Sequence, residues 1–155
     1  MRNLAELGLE LPAVPTPGGS YVPALRVGDL VHTSGQLPFR DGALPATGPL
    51  AGPADVPRGT ELARQAALNA LAAAAQAAGG LDVIARVVSV IVYVASAPAF
   101  TQQSAVANGA SDLLTAVFGE AGRHVRTAVG VACLPLDSPV EVALVCQVAA
   151  QGADA

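Results

Sequence analysis

Residues 83–95 read Val-Ile-Ala-Arg-Val-Val-Ser-Val-Ile-Val-Tyr-Val-Ala. β-Branched residues dominate this run, and it is too apolar to leave either face in water. That predicts a central strand covered on both sides. Before it, residues 60–78 form the clearest helix. Thr60 can cap its start, Glu61 suits the positive end of the dipole, and Gly79-Gly80 ends it. After it, Ser96 is a plausible cap ahead of Pro98 for a second helix that runs to about Phe118, where Gly119 and Gly122 break it. Farther out, 21–27 and 29–34 read as two short strands around Gly28-Asp29. Residues 126–134 and 139–149 read as two more, split by Leu-Pro-Leu-Asp-Ser-Pro. The order β-β-α-β-α-β-β predicts an α+β sheet with both helices on one face. One domain over 1–155 accommodates all of it. Residues 1–19 are a lead, with a short helical turn and then Pro12, Pro15, Pro17, Gly18 and Gly19. Residues 36–59 are a long loop with five prolines and four glycines. A loop of that length is often functional or part of a subunit contact.

Hydrophobic residues make up 52% of the 155, and charged ones only 13%, against about 25% in a typical globular chain. Such a chain is not disordered. There are 33 alanines, eight arginines and no lysine. So thin a cover of charge is a first sign of buried subunit interfaces. The net charge of −4 comes without a cluster of arginines, so nucleic acid has no electrostatic footprint to bind. A basic membrane-surface helix is absent, and Arg64, Gln65, Asn69 and Gln76 interrupt the one apolar stretch of membrane-spanning length. The first residues lack the apolar run of a signal peptide, which predicts a reducing cytoplasm. There Cys133 and Cys146 are expected as buried free thiols, with a disulfide as the alternative. His32 and His124 are the only histidines, in no zinc-site spacing, so no metal site is expected.

Familiar catalytic motifs are missing, and a few polar residues in apolar runs remain. Arg126 opens Arg-Thr-Ala-Val-Gly-Val-Ala-Cys-Leu, where its guanidinium suits a two-point grip on a carboxylate. A surface arginine or a salt bridge is the plainer alternative. Glu141 sits between Val140 and Val142, and a carboxylate within a buried strand is paired, exposed at an edge, or functional. Asn108 is a helix ligand or a polar-face residue, and Tyr21 a ligand contact or a packing anchor. Ser34-Gly35-Gln36 is an anion-binding turn or simply the end of a strand. If 126–134 and 139–149 form a plain hairpin, Arg126 and Glu141 stand roughly 20 Å apart along the ladder. They can then share a site only across two subunits.

Taken in order, Gly19-Ser20-Tyr21-Val22-Pro23-Ala24, Gly28-Asp29-Leu30-Val31, Thr33-Ser34-Gly35-Gln36-Leu37-Pro38, Leu68-Asn69, Phe100, Asn108, Arg126-Thr127 with Leu134-Pro135, and Val140-Glu141-Val142 resemble the RidA family. That family is also called YjgF-like and often labelled endoribonuclease L-PSP. The resemblance spans about residues 14–148 and points to a divergent subgroup. It implies a chorismate-mutase-like fold and a homotrimer with ligand clefts between subunits. It also implies hydrolysis of reactive enamines and imines to 2-ketoacids and ammonia without a cofactor. By position, Arg126 matches the carboxylate-binding arginine and Glu141 the glutamate that handles the attacking water. Tyr21, Ser34, Gly35, Asn108 and Thr127 match substrate-contacting positions. Three positions depart from the pattern. Ala128 stands where many enzyme-branch members have cysteine, Ala143 where a second acidic residue is common, and His124 where proline is common. The resemblance leaves two other functions to weigh: a non-catalytic trimer that holds a small carboxylate metabolite, and a ribonuclease, which the acidic composition opposes.

Overall fold

The computed structural model describes residues 4–149; 1–3 and 150–155, the two ends of the expected domain, lie outside the described residues. Five strands, β1 (Ala24–Val27), β2 (Leu30–Thr33), β3 (Ile84–Ala95), β4 (Val125–Val131) and β5 (Val140–Val148), join helices α1 (Val56–Ala78) and α2 (Gln103–Phe118) in the expected order. They form one sheet, ordered β1-β2-β5-β3-β4. β3 runs parallel to β4 through the α2 crossover, and its pairing with β5 is antiparallel. The last two strands are therefore no hairpin, because β3 lies between them.

Both helices pack on one face of the sheet and on each other, α1 over β1, β2 and β5 and α2 over β3 and β4. Val87, Val90, Val92 and Val94 of β3 and Val142 and Leu144 of β5 point into this core. Alanines fill the buried stripe of α1, and the helices cross closely where Gly109 faces Thr60, so that a Cβ at 109 would overlap the Thr60 carbonyl. The opposite face is bare. Leu25, Val27, Val125 and Val129 are exposed there, and Ile91 and Tyr93 of β3 are only half-buried. The apolar run at 83–95 predicts cover on both faces, and this chain by itself covers one. An exposed apolar face of this extent marks an interaction surface.

Several boundaries differ from the sequence reading, and β4 ends at Val131 rather than 134. Helix α1 begins at Val56, because Pro57 suits a first turn and the Asp55 carboxylate accepts the Ala51 and Gly52 N–H groups. Those two hydrogen bonds hold its pKa below the usual value. Thr60 is no cap; its hydroxyl donates back to the Val56 carbonyl. Helix α2 begins at Gln103 rather than after Ser96, since Leu50 from the long loop takes the Ala95 carbonyl and the Ala97 N–H in ladder hydrogen bonds. Tyr21 precedes β1 instead of starting it. Cys133 is also exposed, beyond the end of β4, where a buried thiol is expected. Cys146 is buried, and burial pushes its thiol up to about 12.

The 36–59 loop is pinned along its length. Asn69, buried in α1, donates to the Leu37 and Phe39 carbonyls, and the Gly48 N–H donates to the Asp137 carbonyl. At its start the chain keeps contact with β5 after a slip of one residue. His32 pairs with Val145, yet Gln36 pairs with Val142, so four steps on one side meet three on the other. The Thr33 hydroxyl accepts the Leu144 N–H at 2.9 Å across this bulge.

Candidate functional site

The bulge places Gly35 directly beneath Glu141. A Cβ at position 35 would overlap the Glu141 carboxyl group, so only glycine leaves it room. Glu141 is half-buried on the bare face of the sheet, in register with Tyr93. Among the described residues its carboxylate has no hydrogen bond or ion pair, and burial raises its pKa. Nearby, the Ser34 hydroxyl donates to the Val22 carbonyl and the Ser34 N–H to the Pro23 carbonyl. These bonds tie the Gly35 turn to the segment that carries Tyr21, which is 54% exposed.

Arg126 stands elsewhere. It pairs with Val90 on β3, points to the helix side, and is held by α2. Its guanidinium donates to Asn108 Oδ1 (2.9 Å), Ser111 Oγ (3.1 Å), Ser104 Oγ (2.9 Å) and the Ser104 carbonyl (3.2 Å). All four acceptors are neutral, and among the described residues no carboxylate balances the charge. Thr127, next along the strand, is exposed on the other face.

Two groups of candidates therefore form, Tyr21, Ser34, Gly35 and Glu141 in one and Asn108 and Arg126 in the other. Along β3 their rows lie three residues apart, and two strand spacings separate β5 from β4. That puts the Cα atoms of Arg126 and Glu141 roughly 14 Å apart. The 20 Å separation of a hairpin is removed, but the two side chains project from opposite faces of one sheet. A single protomer does not bring them together.

Sequence reasoning missed Ser104 and Ser111, although 104, 108 and 111 repeat at i, i+4 and i+7, the spacing of one helix face. His124 completes the cradle. Its Nδ1 lies 2.6 Å from the Gly122 carbonyl, which only accepts, so the proton sits on Nδ1. In the neutral ring Nε2 accepts the Ser111 hydroxyl at 3.0 Å, leaving a Ser111 lone pair for Arg126. Among the described residues no three His, Cys, Asp or Glu side chains gather as a metal site, and no helix is long and apolar enough to cross a membrane.

Residues 2–148 match the family described as "YjgF/chorismate mutase-like, putative endoribonuclease". Protein TCP17 of Trypanosoma cruzi is 48% identical over 141 residues, covering 90% of this chain and 88% of that protein. The crystal structure of Atu1372 from Agrobacterium tumefaciens, a protein of unknown function, is 40% identical with a TM-score of 0.86, over 94% of this chain and 90% of that one. The YjgF gene product of E. coli is 26% identical with a TM-score of 0.64, over 86% and 92%. The chain is thus nearer in shape to the Agrobacterium protein than to the one for which the family is called.

Proposed function

The chain belongs to the YjgF/chorismate mutase-like family, and on that footing we propose that it is a RidA-type deaminase, hydrolysing reactive 2-imino and 2-enamino acids to 2-ketoacids and ammonia. The observation that carries this reading is a pair of opposite charges, each left without a counter-charge among the described residues. Arg126 is oriented by four neutral oxygens, and Glu141 is half-buried with no partner among the described residues. A cation that is oriented but not neutralised is suited to a substrate carboxylate. A carboxylate with a raised pKa holds a proton more readily than an ordinary one, which suits it to proton transfer.

The two residues meet in a homotrimer, in clefts between copies, with the bare apolar sheet faces turned inward. The exposed Leu25, Val27, Val125 and Val129 support that arrangement. In the cleft, Arg126 of one copy grips the substrate carboxylate, with Asn108 beside it. Glu141 of the next takes a proton from water as the water oxygen bonds to the imine carbon, and passes it to the imine nitrogen as the C=N π pair moves there. The resulting carbinolamine loses its C–N bond as its hydroxyl proton passes, by way of Glu141, to the nitrogen, leaving a 2-ketoacid and ammonia. The imine carbon is already electrophilic, so placement supplies most of the acceleration, and no metal or organic cofactor is required. Tyr21, Ser34, Gly35 and Thr127 complete the cleft. The cytoplasm, where such imines arise, is the compartment this reading assigns. A net charge of −4 without lysine weighs against RNA as the substrate.

The test is ammonia or ketoacid release from imines generated in situ by an amino-acid oxidase. Arg126→Ala is expected to abolish the acceleration together with saturable binding of 2-ketoacids. An Arg126→Ala protein as fast as the wild type would overturn the mechanism.

A further inference from the structure

A cavity of about 960 Å³ opens beside Gly35, between the N-terminal lead, the start of the long loop and the turn before β5. It shares Tyr21 and Gly35 with the candidate site, and extends away from Glu141 into a space that neither Arg126 nor Asn108 borders. Val14 and Pro17 of the lead, Leu37 and Phe39 of the loop, and Leu136 make its wall largely apolar. The wall is built rather than incidental. Asn69 fixes the Leu37 and Phe39 carbonyls, which spends both of its N–H groups on the wall, and its amide oxygen accepts from Gln65 at 2.9 Å.

Gln36 differs. It lines the cavity and is only 7% exposed. Its amide nitrogen makes one long hydrogen bond, 3.4 Å to the Ser34 carbonyl, which turns the amide oxygen away from that carbonyl. Among the described residues the oxygen accepts nothing. No side-chain oxygen or nitrogen among the described residues is both buried and unpaired, so this oxygen keeps an open surface, and on the cavity wall it can accept from a ligand that brings a donor.

We propose that this cavity is a side-chain pocket for the substrate, selecting 2-imino and 2-ketoacids whose side chain is bulky, aromatic and ends in a hydrogen-bond donor, as a phenol or an indole does. The inference rests on the reading that Arg126 holds the acid's carboxylate, and it adds what the rest of the molecule must be. The ring fills the apolar wall formed by Val14, Leu37 and Phe39, and the donor reaches the Gln36 oxygen. Small imino acids such as those derived from alanine or serine leave the pocket empty.

Calorimetric binding of pyruvate, phenylpyruvate and 4-hydroxyphenylpyruvate to the intact protein tests this, with turnover of the corresponding imines alongside. The expected order is 4-hydroxyphenylpyruvate tightest and pyruvate weakest, with the hydroxyl worth about 3–10-fold over phenylpyruvate. Gln36→Leu should remove the preference for the hydroxyl and keep the preference for the ring. Val14→Phe, on an extended segment outside the helices and strands, should collapse the preference of either aromatic acid over pyruvate. Pyruvate binding as tight as the aromatic acids overturns the pocket while leaving the Arg126 reading intact. Aromatic acids that bind as well to Arg126→Ala as to the wild type overturn the Arg126 reading while the pocket stands. Binding of none of the three removes both.

Discussion

Mixing Arg126→Ala subunits with Glu141→Gln subunits is expected to restore imine hydrolysis that neither variant shows alone. The reason is the sheet itself. Arg126 lies in the Val90 row on the helix side, and Glu141 in the Tyr93 row on the bare side, so one protomer cannot present both to one substrate. A cleft built from two copies takes the arginine from one and the glutamate from the other. In a ring assembled at random from equal amounts of the two variants, about one cleft in four receives an intact arginine and an intact glutamate. The recovered rate, measured after co-expression or after joint unfolding and refolding, should approach a quarter of the wild-type value. A site held within one protomer gives no recovery at any mixing ratio, and that outcome would sink the shared-cleft arrangement.

Glu141→Gln alone should lower turnover by about 10²–10⁴-fold while 2-ketoacid binding survives, because the amide cannot take the proton from water. Turnover undiminished in this variant removes Glu141 from the chemistry. Binding without turnover of any imine in the wild type identifies a carboxylate-binding trimer instead. The pH dependence follows from the raised pKa of Glu141, whose cause is burial. The carboxyl keeps its proton to a higher pH than an ordinary glutamate, so the wild-type rate should fall on acidification earlier than an unperturbed carboxylate would dictate. For stability the sign is opposite to that of a paired carboxylate. The folded state binds the proton more tightly than the unfolded chain, so ionisation opposes folding. The penalty sets in above the unfolded pKa and is complete above the folded one. At neutral pH Glu141→Gln should therefore melt no lower than the wild type, and at acid pH any difference should vanish. A clear loss of melting temperature at neutral pH would instead assign Glu141 a structural partner.

The succession of elements was legible because it rests on local signals. The branched run at 83–95 is a strand wherever it sits, and Gly79, at φ +95, stops α1 where the sequence says it should. What local signals do not carry is which strand lies beside which. Residues 126–134 and 139–149 look like a hairpin because a short turn links them, yet β4 follows a crossover through α2 and pairs with β3. The starts of both helices were misplaced for a related reason. The 36–59 loop, bare of pattern, supplies both the Asp55 turn and the Leu50 bridge that set them. Arg126, Asn108 and Glu141 stood out as polar residues in apolar runs. The neutral cradle around Arg126 did not, because Ser104, Ser111 and His124 are unremarkable until α2 lies over β4. Gln36 was noticed only as part of a turn, and its unclaimed amide oxygen gains meaning only once the lead and the long loop enclose a cavity beside it.

The bulge between His32 and Gln36 bears on how this chain can change its length. Loss of Gly35 would leave three steps facing three, so that Gln36 still meets Val142 and the ladder runs without interruption. The shortened chain is expected to melt at or above the wild-type temperature and to hydrolyse no imine, since the room for the Glu141 carboxyl group goes with the missing residue. Deletions usually damage a fold and spare a remote site, and this one reverses the two. The regular sheet is the simpler object, and a lineage that drifted toward it would keep its shape and lose its occupation.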